Sequence, residues 1–179
     1  MDPNNSQILF AANLKFLHIA PEYCFIKLFK AMKNLDYTTG DLISPWADVK
    51  FDVHDIPFEK NSFDVVICNH VLEHVEDDHK VMTELHRIMK PGGWGIFQVP
   101  IDRNNPKTEE NPSVTDPKER ERLYGQDDHV RQYGLDYGKK LKTAGFKVTE
   151  SDFINKLEPK LVERYALPKG EIIYFCEEE

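Results

Sequence analysis

The stretch Phe63-Asp64-Val65-Val66-Ile67-Cys68-Asn69-His70 is followed at once by Val71-Leu72-Glu73-His74-Val75 and then by a helical pattern from Asp77 onward. Val65 to Cys68 is apolar at every position, as a strand must be when helices cover both faces of its sheet. Asp77 and Asp78 stand where a helix start is positive. Val81, Met82, Leu85, Ile88 and Met89 then repeat at helical spacing, and Lys90-Pro91-Gly92-Gly93 reads as the stop. A strand apolar on both sides joined to an amphipathic helix is the repeating unit of an α/β sheet. Residues 63 to 93 therefore predict a middle strand and the helix that leaves it.

Outward from this unit, strands are expected at Phe16–Ala20, Leu35–Asp41, Val49–Val53, Trp94–Pro100, Phe146–Ser151 and Glu171–Cys176. Phe25, Leu28, Phe29 and Met32 share one face of a helix that Asn34 ends. Only about seven residues separate the second and third strands, too few for an ordinary crossover helix. After Pro100 come roughly thirty polar residues, within which Asp116 as N-cap, Pro117 as first helical residue and Gly125 as stop frame a short helix. Tyr137, Leu141 and Ala144 mark a further helix closed by Gly145. The chain is expected to form one domain over residues 1–179, with residues 101–132 as a polar insertion or lid. Glu177 to Glu179 reads as a solvated tail.

Composition narrows the function. Thirty-one acidic residues against 23 basic ones leave a net charge of −8, which disfavours nucleic acid as a partner. Cys24, Cys68 and Cys176 are widely spaced without a Cys-x-x-Cys pair, which suits a reducing, cytoplasmic setting. Ile8 to Ala20 has no basic flank and is broken by Asn13 and Lys15, so it reads as mature protein and not as a secretory core. No apolar run reaches membrane-spanning length, so no membrane contact is expected. At 179 residues a core forms without disulfides or metal.

In an open α/β sheet, ligands bind at the carboxyl ends of the strands. His18 to Glu22, Asp41, Asp52 and Asn69-His70 all fall there. Ionised carboxylates only accept hydrogen bonds, so Asp41 and Asp52 suit donor groups such as a ribose diol and an adenine amino group. Further along, Gln126, Asp127, Asp128, His129, Arg131 and Tyr133 cluster after the fifth strand. Arg131 is the candidate to clamp an anionic substrate group, and His129 to remove a proton from a nucleophile.

Across Asp52-Val53-His54-Asp55-Ile56-Pro57-Phe58, Asn61 to Val66, His70 to Val75, Glu84 to Gly93 and Ala144-Gly145-Phe146, the sequence resembles the class I S-adenosylmethionine (SAM)-dependent methyltransferases, in particular their small-molecule branch. The resemblance implies a Rossmann-like, three-layer α/β/α fold. Its seven-stranded sheet would be mostly parallel with an antiparallel last strand, and methyl transfer to a small acceptor would be its activity. It also implies a cofactor site of His18, Ala20, Pro21, Glu22, Asp41, Asp52, Val53, Asn69 and His70. In it Asp41 would hold the ribose, Asp52 and the Val53 amide the adenine, and Asn69 and His70 the methionine and methyl region. His70 and His129 are the expected catalytic residues and Arg131 the substrate contact.

The departure from the family lies in the first loop. Positions that usually carry an acid and three alternating glycines read His18, Ala20, Glu22 and Cys24. In this, His18-Ile19-Ala20-Pro21-Glu22 and Gly125-Gln126-Asp127-Asp128-His129-Val130-Arg131 are similar to a bacterial subgroup whose first motif has no glycine. The loss also leaves open a methyltransferase-like binding or scaffold domain without turnover. His70-x-x-Glu73-His74 has the spacing of an inverted zinc-peptidase motif. No third ligand can be placed from the sequence, and the expectation is no metal and no hydrolase.

Overall fold

The computed structural model describes residues 12–179, so the Ile8 to Ala11 part of the apolar N-terminal stretch lies outside the described residues. Nine strands and five helices follow in order: β1 Leu14–Ile19, α1 Tyr23–Lys30, β2 Leu35–Asp41, β3 Val49–Lys50, β4 Phe63–Cys68, α2 Asp78–Ile88, β5 Met89–Ile96, β6 Glu109–Glu110, α3 Pro117–Tyr124, β7 Arg131–Gln132, α4 Tyr137–Thr143, β8 Lys147–Ser151, α5 Pro159–Arg164 and β9 Ile173–Glu177. Seven strands form one sheet in the order β3-β2-β1-β4-β5-β9-β8. The first five are mutually parallel, and β9 runs antiparallel to both β5 and β8. This is the expected three-layer, mostly parallel sheet with an antiparallel last strand.

The middle strand behaves as its composition demands. Val65, Val66 and Cys68 are wholly buried, and β4 pairs with β1 on one edge and β5 on the other. One face carries the larger core, where Leu17, Ile19, Val66 and Cys68 meet Val81, Met82, Leu85 and Ile88 of α2 and Tyr137 and Leu141 of α4. The other face holds Phe16, Val65, Trp94 and Phe175 with Phe29 of α1 packed against them. Of the face predicted for α1, Phe29 makes this contact while Phe25 and Leu28 remain exposed. Among the described residues, no helix is long and apolar enough to cross a membrane.

Four expectations change. The Lys90-Pro91-Gly92-Gly93 stop ends no helix, because Met89 is already extended. The four residues form a bulge inside β5, across which the pairing slips from Phe63↔Met89 to Val65↔Trp94. Glu178 is no free tail, since its backbone bonds the bulge at Gly92 and Gly93. The third strand stops at Lys50, because Asp52 Oδ1 takes the His54 amide at 2.8 Å and turns the chain. The fifth strand stops at Ile96, where the Gln98 side chain takes over, accepting from Tyr174 N and donating to Ile172 O.

The 101–132 segment has structure of its own. Asp116 caps α3 by accepting from Glu119 N at 3.0 Å, and Gly125 ends it in the left-handed region. β6 and β7 pair as an antiparallel ribbon, and Ile101 bridges Tyr133.

Gly95 sits mid-strand where a Cβ would lie 2.6 Å from the Val66 carbonyl oxygen and from the Phe97 ring. Backbone cannot yield there, so Gly95→Ala should lower unfolding free energy by about 1–3 kcal/mol. Chemical denaturation measures it; an unchanged midpoint and slope would contradict this packing.

Candidate functional site

Parallel register brings the strand ends level: Ile19 lies beside Gly40 on one side and Cys68 on the other. Just past these ends lies a cleft of about 620 Å³ whose wall includes Ala20, Asp41, Asp52, Val53 and His70. Five of the nine expected cofactor residues are thus brought together, although they come from four separate segments of the chain. His54, Leu42 and Ile43 share this wall. They were missed because a histidine two residues past an acid, and two exposed aliphatics in a turn, carry no pattern of their own.

The first loop solves its lack of glycine locally. Ala20 occupies the left-handed region at φ 48° and donates to Gly40 O at 2.8 Å. His70 does the same at the end of β4, with φ 53° and its amide on Gln98 O. Non-glycine residues in this region cost roughly 1–3 kcal/mol each and gather at functional sites. Here both stand on the cleft wall.

His18, Glu22 and Asn69 lie behind the cleft as a bridge. The His18 ring is buried among Phe16, Phe29 and Tyr37, with Nδ1 2.8 Å from Tyr37 Oη and Nε2 2.5 Å from Glu22 Oε2. Asn69 Nδ2 donates to Glu22 Oε1 at 3.1 Å. Glu22 therefore ties the loop after β1 to the end of β4. Burial pushes its carboxyl upward, but the hydrogen bonds from His18 and Asn69 outweigh this and leave its pKa below the ordinary 4.5. Pro21 is buried within the same loop.

The two strand-end carboxylates are set by their own turns. Asp41 Oδ1 accepts from Ile43 N and Ser44 N at 2.8 and 2.7 Å. Asp52 Oδ1 accepts from His54 N and Nδ1, and these bonds hold its pKa below the usual range. Each carboxylate has one oxygen engaged in the turn, which fixes its orientation on the wall. His70 faces Glu73 Oε1 at 3.4 Å, and that contact raises its pKa against the effect of burial. A second cleft of about 330 Å³ lies on the other side of His70, bordered by Gln98, Arg103, Lys169 and Glu171. His70 thus stands between two clefts.

Arg131 and His129 do not line either cleft. Arg131 is 2% exposed and donates through Nη1 to Leu72 O and Val75 O, through Nη2 to Glu76 O and through Nε to Glu110. Its donors are consumed inside the fold, so it fastens β7 to the 72–76 connection and is not placed to clamp a substrate. His129 is equally buried, with Nδ1 on Tyr124 O at 2.9 Å, and is not placed as a solvent-facing base. Sequence proximity within a polar cluster could not distinguish these inward donors from outward ones.

Two outcomes follow from this geometry. Arg131→Lys should lose about 2–4 kcal/mol of stability, because three ammonium hydrogens at one point cannot replace a planar fork that serves three carbonyls and Glu110; an unfolding curve that matches wild type would return Arg131 to the candidate substrate contacts. Glu22 has a folded pKa below its unfolded one, so its stabilisation is present above pH 4.5 and is lost as pH falls through the lower folded value. Wild-type stability should therefore fall more steeply than that of Glu22→Gln on acidification below this point, as read by urea denaturation across pH.

Residues 23–97 match the family model described as a methyltransferase domain. Over 79 residues the chain is 35% identical to a ubiquinone biosynthesis O-methyltransferase from Thiobacillus denitrificans, an alignment covering 44% of this chain and 29% of that protein. The chain spans less than a third of the length of the curated ubiquinone O-methyltransferases it matches first. Among solved structures it is similar to Burkholderia thailandensis 1,6-didemethyltoxoflavin-N1-methyltransferase with bound substrate and S-adenosylhomocysteine. The TM-score is 0.62 at 15% identity, covering 99% of this chain and 78% of that one. It also resembles an S-adenosylmethionine-dependent methyltransferase from Mesorhizobium loti, with TM-score 0.54 at 15% identity over 97% and 96% of the two chains. The sequence match across the middle of the chain and the fold across its described length agree: residues 23–97 match a methyltransferase domain, and the fold is similar to that of SAM-dependent methyltransferases.

Proposed function

We propose that this chain binds SAM in the cleft at the ends of β1, β2 and β4 and transfers its methyl group to a small-molecule acceptor. The observation that carries the reading is the wall itself: backbone at Ala20 held in a glycine-like conformation beside two oriented carboxylates, Asp41 and Asp52. Asp41 accepts from the ribose hydroxyls, and Asp52 with the Val53 amide receives the adenine edge. Leu42 and Ile43 offer apolar surface beside them. Ala20, Pro21, Glu22, Asn69 and His70 border the methionine end, where the Glu22 carboxylate, held by His18 and Asn69, is the acceptor suited to an ammonium group.

When bound, SAM supplies a methyl on a cationic sulfur. The protein's task is then to hold an acceptor atom in line with that methyl, and positioning alone can remove roughly 7–11 kcal/mol of barrier. His70 is the residue suited to this boundary, because it touches both clefts and can take or hold a proton of the acceptor. The second cleft supplies the acceptor side, with Arg103 and Lys169 suiting a polar or anionic small molecule. The similarity to a ubiquinone biosynthesis O-methyltransferase supports an oxygen acceptor. Residues 101–132 contribute Ile101 and Arg103 to one cleft and Asp128 to the other, which supports their role as a cover over both.

Calorimetry with S-adenosylhomocysteine tests the reading. Binding is expected for wild type, and Asp41→Asn should weaken it about ten- to hundredfold, since the amide keeps one acceptor for the turn but places a donor toward the diol. No heat and no thermal shift at millimolar ligand would instead support a methyltransferase-like scaffold. Turnover is checked by mass spectrometry of phenolic acceptors with SAM, where His70→Ala should lower kcat more than it raises cofactor Kd.

A further inference from the structure

Glu73 and His74 lie on the connection between β4 and α2, and His129 lies just before β7, yet each offers one ligand atom and these atoms all lie within 4.8 Å of one another. Glu73 is 2% exposed and His129 3%. Glu73 Oε2 and His129 Nε2 are buried with no hydrogen-bond partner among the described residues. His129 Nδ1 faces the Tyr124 carbonyl oxygen, which can only accept, so Nδ1 carries a hydrogen and Nε2 of the neutral ring presents a lone pair. Two buried groups that can accept therefore lie close together with no hydrogen bond made to either atom, an arrangement that favours a cation there.

The donor set is specific. His74 packs edge-on to His129 with ring centroids 4.7 Å apart, adds a second imidazole and lines the larger cleft. Two imidazoles and a carboxylate suit first-row divalent ions, zinc foremost. Outer partners orient two of them as metal ligands are usually oriented: Tyr124 O holds His129, and His70 faces Glu73 Oε1. Asp128 Oδ2, 3.3 Å from His74 Nδ1, orients that ring from the cleft side. In the sequence no third ligand can be placed beside His70 and His74; the fold supplies His129.

We propose that Glu73, His74 and His129 bind one divalent first-row cation, which clamps the end of the 101–132 segment onto the connection leaving β4. Zinc bonds of about 2.0–2.1 Å require ligand atoms about 3.3 Å apart in a tetrahedral site, so separations of up to 4.8 Å must close by as much as about 1.5 Å on loading. His74, partly exposed, has room to turn. Glu73 is here a ligand and His70 is not, which separates this site from the His-x-x-Glu-His peptidase arrangement. The site stands whether or not the chain transfers methyl groups.

The test titrates the full, chelator-treated chain with zinc chloride by calorimetry, with elemental analysis after gel filtration and thermal unfolding alongside. About one zinc per chain with a Kd of about 10 μM or tighter is expected, together with a Tm that rises with zinc concentration. Glu73→Gln and His129→Gln should each weaken binding at least about tenfold, while His70→Ala, which removes only an outer contact to Glu73 Oε1, should weaken it less than either. His74→Ala, at a partly exposed position, carries the same expected loss if the buried variants do not fold. Zinc binding weaker than about 0.1 mM, or unchanged in folded His129→Gln or His74→Ala, would overturn the site. Loss in His70→Ala with retention in His129→Gln would overturn it too, by moving the ligands to the sequence motif.

Discussion

The site depends on β4 being paired in parallel on both edges. Val65 to Cys68 can be buried on both faces only if helices lie above and below, and parallel pairing to β1 and β5 obliges the chain to cross over between strands. That constraint sends the ends of β1, β2 and β4 to the same edge of the sheet. Ala20, Asp41 and His70 become neighbours because their strands share a direction, and the carboxyl ends of such strands are where an α/β sheet opens. Cleft, carboxylates and candidate catalytic histidine are all consequences of one strand's burial.

The loop after β1 holds a residue other than glycine in a conformation that glycine adopts most easily. Glycine is favoured there for its access to positive φ. In this chain Ala20 takes that conformation under tension from three sides: its amide is held by Gly40 O, Pro21 stiffens the next position, and Glu22 is bonded to His18 and Asn69. Of the side chains standing at the usual glycine positions, Glu22 supplies the hydrogen bonds that hold the strained residue's loop. What the family's loop gains from conformational freedom, this loop gains from being overdetermined.

The far end of the 101–132 segment is held by a different device. Arg131 spends its guanidinium on carbonyls of the 72–76 connection, Tyr133 Oη donates to the buried Asp78 carboxylate at 2.8 Å, and Lys140 Nζ reaches the same oxygen at 3.1 Å. Buried charge of this kind is tolerable only when each donor and acceptor is matched. The anchored end places His129 and Asp128 against the residues that follow β4. The tip, with α3 and its exposed charged surface, has fewer such ties.

Much was legible in the sequence because it was local. Strand and helix positions followed from periodicity, the α3 boundaries from Asp116, Pro117 and Gly125, and the sheet's class from the apolar run at Val65 to Cys68. The strand-end acids Asp41 and Asp52 were visible because chain order and a parallel sheet together dictate where they fall. Lys90-Pro91-Gly92-Gly93 was misread as a helix stop, since the same residues that end helices also form bulges, and only pairing with β4 and Glu178 separates the two. The inward roles of Arg131 and His129, the His18–Glu22–Asn69 bridge, and the meeting of Glu73 with His129 were beyond the sequence. Each joins side chains from segments far apart in the chain, and the direction in which a polar side chain points is set by what packs against it, which exists only once the chain has folded.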